Sequence, residues 1–164
     1  MKRRDIWGIL LVSLIITVPF LNKPVHIDDT FVLRITANIL EAPLDPFAGE
    51  IDWFGHLMPI WEATTNPPLI SYFLAPLAFV SDYSEVVMHA GMILFHVLFI
   101  GGTFSLTRRF TSWSWFPTLF VALSSAVIVS GNLMRDIPAA GLAISGIACF
   151  VYGTDHRRIF WNLS

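Results

Sequence analysis

Residues 86–106 form an apolar run of 21 residues without one Asp, Glu, Lys or Arg, and the run closes at Arg108-Arg109. As a helix it rises about 31 Å, close to the roughly 30 Å thickness of a bilayer's hydrocarbon core. A helix on the surface of a soluble domain keeps a charged face over such a length, and this one has none. Residues 113–133 repeat the pattern over another 21 positions. Two such segments in so short a chain commit it to a membrane more firmly than any other feature.

The remainder of the sequence is read against that constraint. Of its 164 residues 55% are hydrophobic and 13% charged, against about 25% charged in soluble domains. Residues 6–21 and 137–152 are shorter apolar runs of 16, about 24 Å each as helices. The first follows Lys2-Arg3-Arg4 and so resembles a signal peptide. Its exit, Leu21-Asn22-Lys23-Pro24, lacks the small residues of a cleavage site, which favours an uncleaved span. The expected fold is all-α: a polytopic integral membrane protein with four spans at 6–21, 86–106, 113–133 and 137–152, and a large first loop at 22–85. A net charge of -2 without a basic patch excludes nucleic acid as a partner. The one cysteine, Cys149, excludes an intrachain disulfide.

Orientation follows from the basic residues. Lys2-Arg3-Arg4, Arg108-Arg109 and His156-Arg157-Arg158 fall on one side if four segments cross, and the positive-inside rule makes that side cytoplasmic. Both termini are then cytoplasmic in the inner or plasma membrane, and the first loop is extracytoplasmic. A fifth crossing at residues 69–80 would move two of the clusters outside. Those twelve residues, interrupted by Pro76, are too few to span and are expected to be re-entrant or interfacial.

The first loop carries the chemistry-bearing residues. Residues 22–68 hold seven of the twelve acids. Phe31, Ile35 and Ile39 recur at helical spacing, which predicts a juxtamembrane helix lying on the bilayer surface. Just before it stand Asp28 and Asp29. Adjacent carboxylates can take the proton of an attacking hydroxyl or amine, or hold a divalent cation through oxygen. An Asp at a helix start is also a favoured cap, stabilised with no catalytic role. Asp136 has the same two readings: a functional acid, or a cap and partner of Arg135. His89 and His96 lie seven apart on one face of the second span. Polar side chains there serve either a site or an interhelical hydrogen bond. The small pairs Ala139/Ala143 and Gly141/Ser145 are suited to seating a neighbouring helix.

Three motifs in order carry a resemblance: Asp28-Asp29-Thr30, then Asn66-Pro67-Pro68-Leu69-Ile70-Ser71-Tyr72, then Leu133-Met134-Arg135-Asp136-Ile137-Pro138. Together they resemble the GT-C membrane glycosyltransferases, in particular the protein mannosyltransferase and aminoarabinose transferase branch. The resemblance implies a polyprenyl- or dolichyl-phosphate sugar donor and transfer on the extracytoplasmic side. It maps the catalytic acids onto Asp28 and Asp29. Asn66, Pro67, His89, Arg135 and Asp136 map onto substrate-binding positions, and Asp28 with Asp136 are candidate ligands for a divalent metal ion. His89 stands where some relatives have an Arg. Members of the family continue through further spans that contact the donor phosphate. The 164 residues are therefore expected to be an N-terminal portion, inactive alone and completed by C-terminal helices or a partner subunit. The competing expectation is a non-catalytic membrane module that binds lipid or another membrane protein. A transporter is disfavoured by the lack of an inverted repeat.

Overall fold

The computed structural model describes the backbone of residues 2–161 and, apart from positions 129 and 156–161, their side chains. The chain is mostly helical, as composition and periodicity require. It forms two compact units. The first comprises Met1–Phe20, Met92–Gly131 and Arg135–Ser164; the second comprises Leu21–Gly91 and Asn132–Met134. Two helical segments, Glu85–Phe110 and Asp136–Asp155, are long and apolar enough to cross a membrane.

The first unit contains α1 (Arg3–Thr17), which runs into a 3-10 turn at Val18–Phe20. It also contains α6 (Ile93–Phe110), α7 (Trp115–Ala122), α8 (Ser125–Val129) and α9 (Asp136–Trp161). Helices α6 and α9 pack closely because small residues meet backbone at their crossing. A Cβ at Gly102 would stand 2.9 Å from the Ser145 nitrogen, and one at Gly141 would stand 2.7 Å from the Phe95 carbonyl oxygen. Ser145 Oγ donates to the Leu98 carbonyl at 2.8 Å. The Gly141/Ser145 pair thus seats a helix as its spacing predicts, whereas Ala139 and Ala143 stay exposed. Other hydroxyls bond within their own helices, as Ser13 does to the Ile9 carbonyl (2.8 Å) and Thr17 to that of Ser13 (2.8 Å). Trp7, Leu11, Phe116, Phe120 and Phe150 remain largely exposed on this unit's outside.

The apolar run 113–133 is not one continuous helix. It breaks at Leu123-Ser124, where Ser124 adopts an extended conformation (φ -65°, ψ 149°) and begins α8. A serine competes for its own backbone and favours a helix start over a helix interior. The basic side chains of the first unit gather through Asp5 and Asp155. Arg108 Nη1 lies 3.5 Å from Asp5, and Arg109 pairs with Asp155. The side chains of His156, Arg157 and Arg158 lie outside the described residues.

The second unit folds the first loop into its own small core. Helix α2 (Asp29–Glu41) is followed by strands β1 (Glu50–Asp52) and β2 (Leu57–Pro59), then α3 (Ile60–Ala63), α4 (Leu69–Ser81) and α5 (Glu85–Gly91). The two strands pair antiparallel, with Ile51 opposite Met58. This ribbon of two three-residue strands is a small addition to a chain that is otherwise helical, as the all-α expectation has it. Gly49 (φ +81°) and Gly55 (φ +82°) supply the left-handed turns before and within it, a conformation only glycine adopts freely.

The apolar stripe of α2 is not presented to lipid, contrary to the expectation of a surface-lying helix. Phe31, Ile35 and Ile39 are buried with Ile60 and Ala75, beneath Phe47, Ile51, Trp53 and Ala63. Trp53 meets Phe31 edge-on at 5.0 Å. Helical spacing reports a buried stripe but not what covers it; here α4 and the ribbon do. Helix α4 forms where an interfacial segment was expected and carries Pro76 within it. Its 13 residues rise about 20 Å, too short to cross.

Candidate functional site

The two carboxylates divide their roles. Asp28 occupies the N-cap position of α2, yet its side chain makes no capping hydrogen bond. Asp29, the first residue of the helix, is fully buried (0% exposed). One of its oxygens accepts from the His26 backbone N–H at 2.9 Å. The other accepts from the Leu133 N–H at 3.0 Å, across 104 residues. A buried carboxylate is tolerable when donors satisfy both oxygens, and Asp29 meets that condition. It is therefore a clamp, joining the first motif to the third inside the second unit.

Asp28 is left open. About half of its side chain is exposed, and its Oδ2 lies 3.5 Å from His26 Nδ1. That same nitrogen is 3.3 Å from the Asp28 backbone N–H. A neutral ring accepts this N–H through its Nδ1 lone pair. A protonated ring instead directs an Nδ1 proton to the carboxylate. His26 stands two positions before Asp28 in the same stretch, and its pairing with that acid is what the structure adds.

The second motif packs onto α2 from α4. Ser71 Oγ donates to the Val32 carbonyl at 3.0 Å, and Tyr72 donates its phenolic hydrogen to the Pro43 carbonyl at 2.5 Å. Asn66 bonds Thr64 Oγ1 through its side-chain nitrogen at 2.8 Å and its backbone nitrogen at 3.1 Å. Pro67 is exposed, and Pro68 is the N-cap of α4. The three motifs thus meet in one unit up to Met134.

Beyond Met134 the chain belongs to the first unit. Arg135 is half-buried, and its carbonyl accepts from Ala139 N–H at 2.8 Å. Asp136 is exposed in the first turn of α9, where the helix dipole favours an anion. Asp28 and Asp136, the candidate metal pair, fall in different units. Among the described residues no three His, Cys, Asp or Glu side chains gather to hold a metal, and no step is derived through one.

His89 is buried in α5, and its Nδ1 lies 2.8 Å from the Glu85 carbonyl. A carbonyl only accepts, so Nδ1 carries the hydrogen, and in a neutral ring Nε2 is the acceptor. That Nε2 is buried with no hydrogen-bond partner among the described residues. A buried acceptor left unsatisfied costs about 1–3 kcal/mol, and such groups concentrate where something else completes the bond. His96 also bonds back within its own helix, to the Met92 carbonyl at 3.1 Å, rather than to a neighbouring helix.

Neither a family model, nor a curated protein, nor a solved structure matches this chain.

Proposed function

We propose that this chain is the N-terminal part of a GT-C-type membrane glycosyltransferase that moves a sugar from a polyprenyl-phosphate donor to an acceptor outside the cytoplasm. The observation that carries the reading is the unequal fate of two adjacent acids. Asp29 satisfies the backbone, and Asp28 is left half-exposed and free of the capping duty that would otherwise explain it.

In the proposed step the Asp28 carboxylate takes the proton from the acceptor's hydroxyl or amine. The freed electron pair forms a bond to the sugar's anomeric carbon. The bond from that carbon to the phosphate oxygen breaks, and polyprenyl phosphate departs with the electrons. The proton later returns to solvent. His89 Nε2 is suited to accept a hydrogen bond from a substrate hydroxyl. Asn66, Pro67, Arg135 and Asp136 are assigned to substrate binding by motif position.

The proposed topology has four crossings with the N-terminus cytoplasmic. The pairing of Arg108 with Asp5 and of Arg109 with Asp155 supports it by holding the basic ends of α1, α6 and α9 together. In this topology the break at Leu123-Ser124 lies within the third crossing. Irregular backbone is tolerated there only against protein or a water-filled cavity.

The test compares Asp28→Asn with Asp29→Asn in membranes expressing the whole gene, assayed for transfer from a polyprenyl-phosphate sugar. Asp28→Asn is expected to lower the rate by about 10²–10⁴ while the Leu133 amide stays protected from hydrogen exchange. Asp29→Asn is expected to lose that protection first and activity with it. Wild-type turnover in Asp28→Asn would overturn the assignment.

A further inference from the structure

A cavity of about 400 Å³ opens within the first unit, at the start of α1 and the end of α6, and the chemistry at Asp28 makes no use of it. Three cations line it, Lys2, Arg4 and Arg108, against one carboxylate, Asp5. Asp5 is nearly buried and organises its surroundings. It accepts the Lys2 backbone N–H at 2.9 Å and lies 3.5 Å from Arg108 and 3.9 Å from Arg4. One negative charge shared three ways leaves the lining with a net charge of +2, from three cations less one anion.

The opposite wall is aromatic. The Phe104 and Trp115 rings lie tilted against each other with centres 4.5 Å apart, and the Arg108 guanidinium lies 5.7 Å from the Phe104 ring centre. Trp115 covers Gly8 so closely that a Cβ there would come within 2.5 Å of the indole. Cationic walls beside an indole on a membrane helix match an anionic group bonded to an apolar one.

We propose that this cavity binds the phosphate headgroup of an anionic phospholipid, with Arg108 and Lys2 on the phosphate and Trp115 against the glycerol backbone. Arg108 is placed for it: Asp5 and Phe104 fix the guanidinium, and its remaining N–H donors suit a phosphate's planar pair of oxygens. The positive-inside rule alone requires only that cations collect near the membrane; it requires neither a cavity nor an aromatic wall.

The protein purified in a neutral detergent is titrated with short-chain phosphatidylglycerol, with phosphatidylcholine and with inorganic phosphate, and bound molecules are counted by native mass spectrometry. One phosphatidylglycerol is expected to bind, at least tenfold tighter than phosphatidylcholine. Arg108→Gln and Lys2→Gln are each expected to weaken it about fivefold, from the usual worth of one cation near an anionic surface. Arg108→Lys is expected to keep part of the affinity. Arg3→Gln, which removes a charge outside the lining, is expected to leave it unchanged. Among the described residues the Lys2 side chain makes no ion pair, so its substitution tests the site even if Arg108→Gln disturbs α1. Equal loss in Arg3→Gln would reduce the effect to general surface charge and overturn the site. Inorganic phosphate binding as tightly as the lipid would replace the lipid by a soluble phosphate ligand.

Discussion

The two units of this chain close their main helix contacts with different kinds of side chain. In the second, Phe31, Ile35, Ile39 and Ile60 turn inward, and acids such as Glu41, Glu50, Asp52 and Glu62 face out. That is a small inward-facing core, beside which Leu44, Phe79 and Val80 of the same unit stay exposed. In the first, glycines and hydroxyls occupy the α6–α9 contact, while Phe116, Phe120 and Phe150 are each more than 70% exposed. That is the order expected where the solvent is lipid and gives no hydrophobic drive between helices. Polar partners differ correspondingly. Both units keep hydroxyl bonds within a helix, as at Ser13 and Thr36, and the second adds a carboxylate that ties distant backbone together.

The sharpest way to break this comparison is Asp29→Ala. It orphans the His26 and Leu133 amides together and is expected to cost the second unit about 4 kcal/mol, from two charge-assisted bonds. Hydrogen exchange should accelerate at both amides and leave α6 and α9 unchanged. Exchange rising equally in all helices would show that the two units share one stability.

Next in size is a matched pair, Ile35→Ala and Phe120→Ala. Ile35 is 4% exposed and Phe120 76%. Chemical unfolding in detergent should show a loss of about 3 kcal/mol for the buried isoleucine and little for the exposed phenylalanine. A comparable loss at Phe120 would mean that protein covers that face.

These pairs also mark how far residue patterns reach. The period of Phe31, Ile35 and Ile39 reveals α2, and the charge-free run ending at Arg108 reveals α6. Neither reveals what lies against it. Asp28 and Asp29 are identical in type and adjacent, so the sequence does not decide which is the clamp. The answer comes from Leu133, 104 residues away. The ribbon was missed because each strand has three residues, too few to show alternation, though Gly49 and Gly55 mark its turns. The break at Ser124 was hidden by a run whose hydropathy says nothing of helix continuity. The Lys2, Arg4 and Arg108 cavity read only as a sign of orientation, because charge clusters carry no shape.

Gly102→Ala sharpens the packing side of the comparison. Its Cβ would press on the Ser145 backbone nitrogen, which cannot rotate away. About 2 kcal/mol of the α6–α9 contact should be lost by overpacking, read as a lower melting temperature in detergent. No change would mean that the helices slide apart without cost.

The smallest effect concerns Tyr83 in the turn after α4. Its pKa is raised above 10.0, first by burial and then by the carboxylates of Glu41 and Asp82. The folded state therefore favours the neutral phenol. The associated stability is fully present below about pH 10 and is lost as pH rises through the raised folded value. Unfolding midpoints followed from pH 8 upward should fall more steeply in the wild type than in Tyr83→Phe. Parallel curves would remove Tyr83 as the cause.

The bond from Asp29 to Leu133 also sets a schedule for the protein's birth. Synthesis adds about 5–20 residues per second, so the 104 residues between the partners take about 5–20 s to appear. For most of that interval α2 is already made, and its carboxylate has no Leu133 amide to meet. Water must hold the acid while the later segments are made. The first loop can begin to fold early but cannot lock until residue 133 arrives. A ribosome stalled shortly before that point should carry a loop that proteases cut readily, and one stalled well beyond it should carry a resistant loop.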